Sequence, residues 1–328
     1  MKVAILGAGL AGLATAWHLL KLNATCKVVL YDHNGIGGGA SGIAAGLVHS
    51  FAGAHARLNL FAREGMQASQ QLFDASFQAL GRPISKNTGL LRLAVTEQQE
   101  SNYKRCAENF PKEVEWFTAE ACQKIAPGVV FKPGIFIHSA QTIDSTVYLT
   151  GLWQACSSMG AQLTREKVRS LSDMSNFDAV VIAMGAASSL FPETSNLPIT
   201  LIKGQILEMK WPKEIPLLSF PISSHMYIVN DVQTGNCIVG ATYERKYESG
   251  EISQEIAQRE ILPKASQIIP ELRNSEILCC RAAIRVSAPQ HLPLIQQISK
   301  RCWVFTGLGS KGLLYHSLYG KKLAESLA

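Results

Sequence analysis

A glycine-rich loop between a strand and a helix begins the sequence and restricts the fold more than any other feature. A short, mainly apolar run, 2–6, leads directly into Gly7-Ala8-Gly9-Leu10-Ala11-Gly12, and apolar residues then recur at helical spacing over 13–22. A second apolar run, 27–31, ends in Asp32. Strand, G-x-G-x-x-G, helix, strand and acid form the dinucleotide-binding fingerprint in its required order. The beginning of the chain is therefore predicted to be the βαβ unit of a Rossmann-like domain.

Each part of this fingerprint has a physical role. The first glycine permits a tight turn, the second lets the backbone approach a pyrophosphate, and the third lets helix and strand pack closely. The helix N-terminus offers N–H groups and a positive dipole end to the phosphates. The carboxylate of Asp32 is suited to accept hydrogen bonds from a ribose. The residues assigned to this part of the cofactor site are Gly7, Gly9, Leu10, Ala11, Gly12, Asp32 and His33.

A second glycine-rich loop, Gly37-Gly38-Gly39-Ala40-Ser41-Gly42, follows shortly after the acid. NAD enzymes usually enter another helix at this point, whereas FAD enzymes use a second loop around the longer pyrophosphate and ribityl chain. The loop therefore favours FAD, and a flexible surface loop is the alternative. His49 is assigned to the flavin face, with a satisfied polar residue at a helix end as its alternative. The loop residues assigned to the cofactor are Gly39, Ala40, Ser41 and Gly42.

Composition bounds the class of protein. The 328 residues, 47% hydrophobic and 17% charged, are typical of a globular protein with two domains. The net charge of +6 is compatible with a polyanionic partner, but no extended block of basic residues predicts DNA binding. The eight cysteines and eight histidines show no CxxC, HxxxH or HExxH spacing, so no metal site is expected. No apolar run is long enough to span a bilayer, and the protein is expected in the cytoplasm.

Further segments extend the fold prediction. Residues 177–186 are predicted to be an apolar strand followed by a small-residue turn, which is typical of a parallel strand buried on both faces. Residues 307–312 form a third glycine-rich loop, which leads into the closing helix. A long helix is predicted over 54–80, a strand is predicted to contain Val168, and another helix is predicted to be divided at Pro263.

Motifs along the whole chain follow one order. They are GAGLAGLATAWHL at 7–19, GGGASGIAAG at 37–46, DAVVIAMGA at 178–186, KGQI at 203–206, YIVN at 227–230, IVGATYE at 238–244, RAAIRVSAPQHLPLI at 281–295 and TGLGSKGLLYHSLYGKKLAESL at 306–327. Together they resemble the glycine oxidase and D-amino-acid oxidase family of FAD enzymes. The resemblance implies an α/β fold with a Rossmann-like FAD-binding domain and a mixed-sheet substrate domain. The first would comprise residues 1–85, 142–200 and 282–328, and the second residues 86–141 and 201–281.

The resemblance implies an oxidoreductase that passes a hydride from the carbon–nitrogen bond of a carboxylate-bearing amine to flavin N5. Arg285 stands where the family has its carboxylate-binding arginine, and a guanidinium matches a carboxylate bidentately. Tyr227 stands where relatives have a tyrosine near that carboxylate, although the proline that follows in the family is Asn230 here. A surface ion pair for Arg285 and core packing for Tyr227 are the alternatives. Arg281 is either a second anion contact or solvated.

The resemblance also assigns further residues to the cofactor. In this family the third glycine-rich loop lies along the flavin O2/N1 edge, where reduction builds negative charge that a helix N-terminus stabilises. Hydride transfer from a neutral amine needs no strong base, so His225 and His291 are expected to be structural. The backbone of Val168 is expected to contact the adenine. The additional cofactor residues are Val168, Ala183, Gly185, Gly204, Arg285, Gly307, Gly309, Ser310, Lys311, Gly312 and Leu313.

The substrate is predicted less narrowly than the cofactor. Segments 281–295 and 306–327 are similar to the oxidase half of bifunctional enzymes that modify tRNA wobble uridine, and no methyltransferase half accompanies them here. The favoured substrate is therefore the carboxymethylaminomethyl group of modified tRNA. The alternative substrate is a small free amine such as glycine, sarcosine or a D-amino acid. Two other functions are also left open, a flavin-containing binding protein without catalysis and a plain NAD dehydrogenase. The electron acceptor and the oligomeric state stay open.

Overall fold

The computed structural model describes residues 1–231 and 234–328, and within them the chain forms nineteen strands. They are β1 (Lys2–Leu6), β2 (Lys27–Tyr31), β3 (Leu47–Val48), β4 (Phe51–Ala52), β5 (Arg57–Leu58), β6 (Ser85–Thr88), β7 (Leu91–Leu93), β8 (Val114–Phe117), β9 (Gly134–Ile137), β10 (Gln141–Ile143), β11 (Gln162–Thr164), β12 (Ala179–Ile182), β13 (Thr200–Lys210), β14 (Ile222–Ser223), β15 (Tyr227–Asp231), β16 (Asn236–Gly240), β17 (Ile277–Ser287), β18 (Leu294–Ser299) and β19 (Cys302–Thr306).

The same residues form eight α-helices, and several begin at a side-chain cap. Thr96, Asp144 and Ser253 each accept a hydrogen bond from a first-turn N–H group, which satisfies a donor that the helix itself cannot pair. No helix of the described chain combines the length and the apolar character needed to cross a membrane. The helices are α1 (Leu10–Leu22), α2 (Ala40–Ile43), α3 (Ala62–Leu80), α4 (Glu97–Asn109), α5 (Ala119–Ile125), α6 (Ser145–Ser158), α7 (Gln254–Ser266) and α8 (Gly312–Leu327).

A six-stranded sheet forms the first layer, in the order β11-β2-β1-β12-β19-β18, with all neighbours parallel except β18. Val3, Ile5 and Val181 pack on one face against a core that includes residues of α1, α6 and α8. Ala4 and Ile182 pack on the other face with apolar residues from segment 168–197. Both central strands are thus covered on two sides, which explains their continuous apolar sequences and confirms the predicted Rossmann-like sheet.

A mixed eight-stranded sheet forms the second layer, in the order β17-β13-β16-β15-β14-β7-β9-β8. The long strands β13 and β17 pair antiparallel from Thr200 with Ser287 to Met209 with Ile277. Leu207 and Met209 of β13 lie in a core with residues of α7, so alternate residues of β13 face the opposite way. The predicted α/β fold with a second, mixed sheet is confirmed. The domain boundaries stay a prediction, and β17 continues across residue 282.

Local structure differs from the sequence prediction at three places. The helix predicted over 54–80 begins only at Ala62, because β4 and β5 pair as a hairpin before it. The strand near Val168 ends at Thr164, and Val168 is buried in the irregular segment that follows. Helix α7 continues through Pro263, with Ile261 and Ala265 buried on its packed side. In each case tertiary packing outweighs the local pattern.

Candidate active site

A cavity of about 350 Å³ lies between the two sheets. Residues that follow β1, β12 and β19 line one side of it, and residues of β13, β15 and β17 line the other. The carboxyl ends of parallel strands are the usual ligand-binding edge of an open α/β sheet. The predicted site residues that line this cavity are Gly9, Leu10, Ala11, Ala40, Ser41, His49, Ala183, Gly185, Gly204, Tyr227, Arg285, Gly307, Gly309, Ser310, Lys311, Gly312 and Leu313.

The fingerprint loop is held by close backbone packing. Gly7 adopts a φ of +109°, and a Cβ atom on Gly12 would lie 1.9 Å from the Gly7 carbonyl oxygen. The N–H of Ala8 donates to Asp32 Oδ2 at 2.9 Å, which ties the end of β2 to the loop. Each carboxylate oxygen can accept a further hydrogen bond, so Asp32 remains suited to a ribose hydroxyl. The exposed His33 follows it directly.

The second glycine-rich loop packs against the first. The Leu10 N–H donates to Ser41 Oγ at 3.2 Å, and a Cβ atom on Gly9 would lie 2.8 Å from that oxygen. Gly39 caps α2, and a Cβ atom on Gly42 would lie 2.3 Å from the Gly37 carbonyl oxygen. The loop is therefore a built part of the cavity wall rather than a free surface turn.

The third loop connects β19 to α8 across the cavity. Gly307 and Gly309 adopt positive φ angles of +78° and +54°, and the Gly309 N–H donates to the Val286 carbonyl at 2.7 Å. Helix α8 begins at Gly312, and no side chain caps it. Its first N–H groups and the positive end of its dipole therefore lie at the cavity. Burial lowers the pKa of the neighbouring Lys311 from its ordinary value.

Two buried polar atoms in the cavity wall test whether a large polar cofactor fits there. Within the described chain, His49 Nδ1 and Thr306 Oγ1 have no hydrogen-bond partner, although both residues line the cavity. Such orphaned groups are costly unless a bound molecule satisfies them. Burial, and after it the charge of Arg92, lowers the pKa of His49 to about 3, so this imidazole is neutral at pH 7. An FAD with many polar atoms fits this wall.

Sequence reasoning missed Thr306 as a site residue. The available signal was a single hydroxyl at the end of an otherwise apolar buried strand, immediately before the third glycine-rich loop. Threonine is common in strands, so its presence alone indicates no site. This one lies beside the cavity because β19 ends there with its carboxyl end.

Arg285 lies on β17 opposite Ile202, with its side chain in the cavity wall. Its Nη2 donates to the Thr242 carbonyl at 2.9 Å, and a Cβ atom on Gly204 would lie 2.6 Å from Nη2. The guanidinium therefore rests on bare backbone and keeps further donors for an anion. Burial raises the pKa of Tyr227 to about 12, although Arg285 and Arg281 lower it, so Tyr227 remains an uncharged hydroxyl donor.

A buried polar cluster behind Arg285 holds Thr242 in place. Thr242 Oγ1 donates to Glu244 Oε1 at 2.6 Å and accepts from the Gln205 N–H at 2.9 Å. Lys203, only 4% exposed, lies with Nζ 3.9 Å from Glu244 Oε2. In the KGQI segment, Gly204 and Ile206 thus line the cavity. Lys203 and Gln205 lie on the opposite face of β13 and contact Glu244 and Thr242 there.

The remaining predicted residues are not brought to the cavity. His225 and His291 are exposed, and Arg281 lines a second cavity of about 200 Å³, where its Nη2 lies 3.5 Å from Glu208 Oε2. Within the part of the chain that is described, no three His, Cys, Asp or Glu side chains are placed to hold a metal ion. The predicted cofactor residues outside the cavity lining are Gly7, Gly12, Asp32, His33, Gly39, Gly42 and Val168.

Comparisons with known proteins agree with this architecture. The chain is 26% identical over 368 aligned residues to the tRNA 5-methylaminomethyl-2-thiouridine biosynthesis bifunctional protein MnmC of Marinobacter nauticus, with 99% of this chain and 55% of that protein covered. The chain therefore spans about half the length of the MnmC relatives it matches.

Two solved structures share the fold. Glycine oxidase from Geobacillus kaustophilus superposes with a TM-score of 0.83 at 23% identity, covering 98% of this chain and 93% of that one. Iminodiacetate oxidase from Chelativorans sp. BNC1 gives 0.81 at 21% identity, covering 99% and 95%. The family model described as FAD dependent oxidoreductase matches residues 2–326. Because that match takes in nearly the whole chain, the protein belongs to this family of FAD-dependent oxidoreductases, and the predicted cofactor, FAD, is confirmed.

Proposed function

We propose that this enzyme oxidises a secondary amine that carries an N-carboxymethyl group, and that its substrate is the carboxymethylaminomethyl group of tRNA wobble uridine. The observation that carries the proposal is the Arg285 guanidinium, which lies in the cavity wall with donors left for a carboxylate. The product on the tRNA would be an aminomethyl group, and the two-carbon fragment would leave as glyoxylate. Such a substrate would require the enzyme to act in the cytoplasm with tRNA.

The reaction balances without a further co-reactant in the oxidation step. The carbon between nitrogen and carboxylate loses a hydride, the nitrogen lone pair forms a carbon–nitrogen double bond, and water then cleaves that bond to the amine and glyoxylate. FAD, when bound, supplies the hydride acceptor. No strong base is required, which agrees with a cavity where His49, the one histidine among the described lining residues, is neutral at pH 7.

The residues of this chain would orient the substrate and stabilise charge. Arg285 would hold the carboxylate in two hydrogen bonds, and the Tyr227 hydroxyl would add a third donor. The α8 N-terminus, together with Lys311, would stabilise negative charge that accumulates at the third loop during reduction. The apolar side chains of Ile206 and Leu308 line the same cavity and would limit the access of water.

Three further observations favour an N-carboxymethyl amine on tRNA. The MnmC relative is named for tRNA 5-methylaminomethyl-2-thiouridine biosynthesis, and its similarity covers 99% of this chain. Iminodiacetate, the substrate in the name of a structural neighbour, is itself an N-carboxymethyl amine. The net charge of +6 suits a polyanionic partner.

The test is anaerobic reduction of the bound flavin by candidate substrates. Purified wild-type protein would be mixed with tRNA carrying carboxymethylaminomethyluridine, with fully modified tRNA as the matched control, and separately with glycine, sarcosine, iminodiacetate and D-alanine. We expect rapid bleaching with the first tRNA and release of glyoxylate in equal amount. Faster bleaching by a small amine than by this tRNA would instead identify a small-amine oxidase.

Replacing Gly204 with alanine is expected to raise KM for the carboxylate substrate about tenfold, because the new Cβ would lie 2.6 Å from Arg285 Nη2 and displace the guanidinium. The flavin spectrum and the thermal midpoint should change little. Gly250→Ala is the matched control, because its Cβ meets only the flexible end of Ile284 at 3.2 Å. An unchanged KM in Gly204→Ala would show that the position of the guanidinium does not govern substrate binding.

A further inference from the structure

An exposed tyrosine stands beside the substrate arginine. Tyr243 follows Thr242, whose carbonyl accepts the hydrogen bond from Arg285, and the tyrosine is 54% exposed. The Arg285 Cζ lies 5.8 Å from the centre of the Tyr243 ring, and the Arg245 Cζ lies 5.6 Å from it. Two cations thus lie over an aromatic ring that is still more than half exposed, next to an arginine of the cavity wall.

The backbone around this ring is fixed although the ring itself is open to solvent. The Lys203 N–H donates to the Glu244 carbonyl at 3.0 Å, and the Glu244 N–H donates back to the Lys203 carbonyl at 2.9 Å. Thr242 is held on the other side by its bonds to Gln205. A ring on a fixed backbone loses little conformational freedom when a ligand stacks on it, so the cost of binding is small.

We infer that Tyr243 is the stacking platform for the nucleobase that carries the reacting amine. The inference rests on the proposed function and narrows it to a substrate that is read as a nucleotide. A nucleobase presents a flat π face, and recognition of single-stranded RNA loops commonly uses aromatic rings for such faces. Arg245 at the same ring supplies a positive charge for the adjoining phosphate.

The distances agree with one bound substrate that reaches both groups. Four bonds separate the carboxylate carbon from the uracil ring in a carboxymethylaminomethyl group, which corresponds to roughly 5 Å when extended. The 5.8 Å between the Arg285 guanidinium and the Tyr243 ring is of the same size. A carboxylate on Arg285 therefore leaves the base within reach of the tyrosine face.

The experiment compares Tyr243→Leu and Tyr243→Phe with wild type on two substrates, modified tRNA and sarcosine. We expect Tyr243→Leu to raise KM for tRNA about tenfold or more, with kcat nearly unchanged, because stacking on the ring is lost. Turnover of sarcosine, which has no base, should stay at the wild-type value. Tyr243→Phe keeps the ring and should resemble wild type on both. Arg245→Gln should reduce the salt dependence of tRNA binding by about one phosphate contact.

Different failures have different meanings. If wild-type protein does not oxidise the modified tRNA, both the proposed function and the stacking role of Tyr243 are wrong. If wild type oxidises tRNA and Tyr243→Leu does so with the same KM, the platform alone is wrong. Equal losses on tRNA and sarcosine would identify a structural effect of the substitution and would also overturn the inference, with the thermal midpoint as the check on folding.

Discussion

Arg285→Ala is expected to lower kcat/KM for the proposed N-carboxymethyl substrate about 100- to 1000-fold, while the purified protein keeps its FAD. The loss corresponds to about 3–4 kcal/mol, the size expected when a bidentate, charge-assisted pair with a carboxylate is removed. Arg285→Lys retains the charge without the planar fork, so an intermediate loss of about tenfold or more is expected. Steady-state kinetics with the modified tRNA, together with the visible spectrum of each variant, provides the measurement.

Arg281→Ala is the matched control for this prediction. Arg281 lies on the same face of β17, four residues before Arg285, yet it lines the second cavity beside Glu208. Its removal should change kcat/KM by a small factor. Comparable losses in both variants would mean that the strand as a whole is disturbed, and full activity in Arg285→Ala would remove this arginine from the mechanism.

The second large effect is a loss of stability in mild acid, to which two buried histidines in the core between helices contribute in the same direction as His49 in the cavity wall. Burial, and secondarily the charge of Lys321, lowers the pKa of His18 to about 4. Burial also lowers the pKa of His316 to about 3. The His316 side chain is fully buried, and its Nε2 forms a hydrogen bond with the Tyr148 hydroxyl. Both imidazoles are therefore neutral in the folded protein well below the pH at which they would titrate in the unfolded chain.

The direction of the pH effect follows from proton binding. Below about pH 6.5 the unfolded chain takes up protons at these histidines and the folded protein does not, so the free energy of unfolding falls as the pH falls. The loss continues until the folded pKa values, near 4 and 3, are reached. At pH 5 it amounts to roughly 2 kcal/mol for each histidine. Urea unfolding at pH 7 and pH 5 measures it.

His18→Gln tests the assignment. Glutamine does not titrate and can keep a polar contact with Ser317, which now lies 3.1 Å from His18 Nε2. The difference in unfolding free energy between pH 7 and pH 5 should therefore shrink by about 2 kcal/mol. His55→Gln, at an exposed position, is the control. The same pH dependence in wild type and His18→Gln would contradict the prediction.

The sequence by itself determined the nucleotide-binding half of the fold. The fingerprint requires glycine where the backbone turns or comes into close contact, and residue identity alone encodes those demands at Gly7 and Gly12. The apolar runs of β1 and β12 likewise predicted strands that are buried on both faces. These features are local, so a single stretch of sequence carries each of them.

The tertiary structure alone decided how the side of the cavity lined by β13, β15 and β17 is assembled. Arg285 lines this cavity, whereas Arg281 lines the second cavity. The two-residue period of a strand places both side chains on the same face of β17, so spacing alone does not separate them. The carbonyl that accepts a hydrogen bond from Arg285 belongs to Thr242, more than forty residues earlier. Thr306 lies at the cavity because it is the last residue of β19, at the carboxyl ends of the parallel strands. The start of α3 at Ala62 depends on the hairpin that precedes it. Such features depend on pairing between distant strands, and residue spacing within one segment does not encode it.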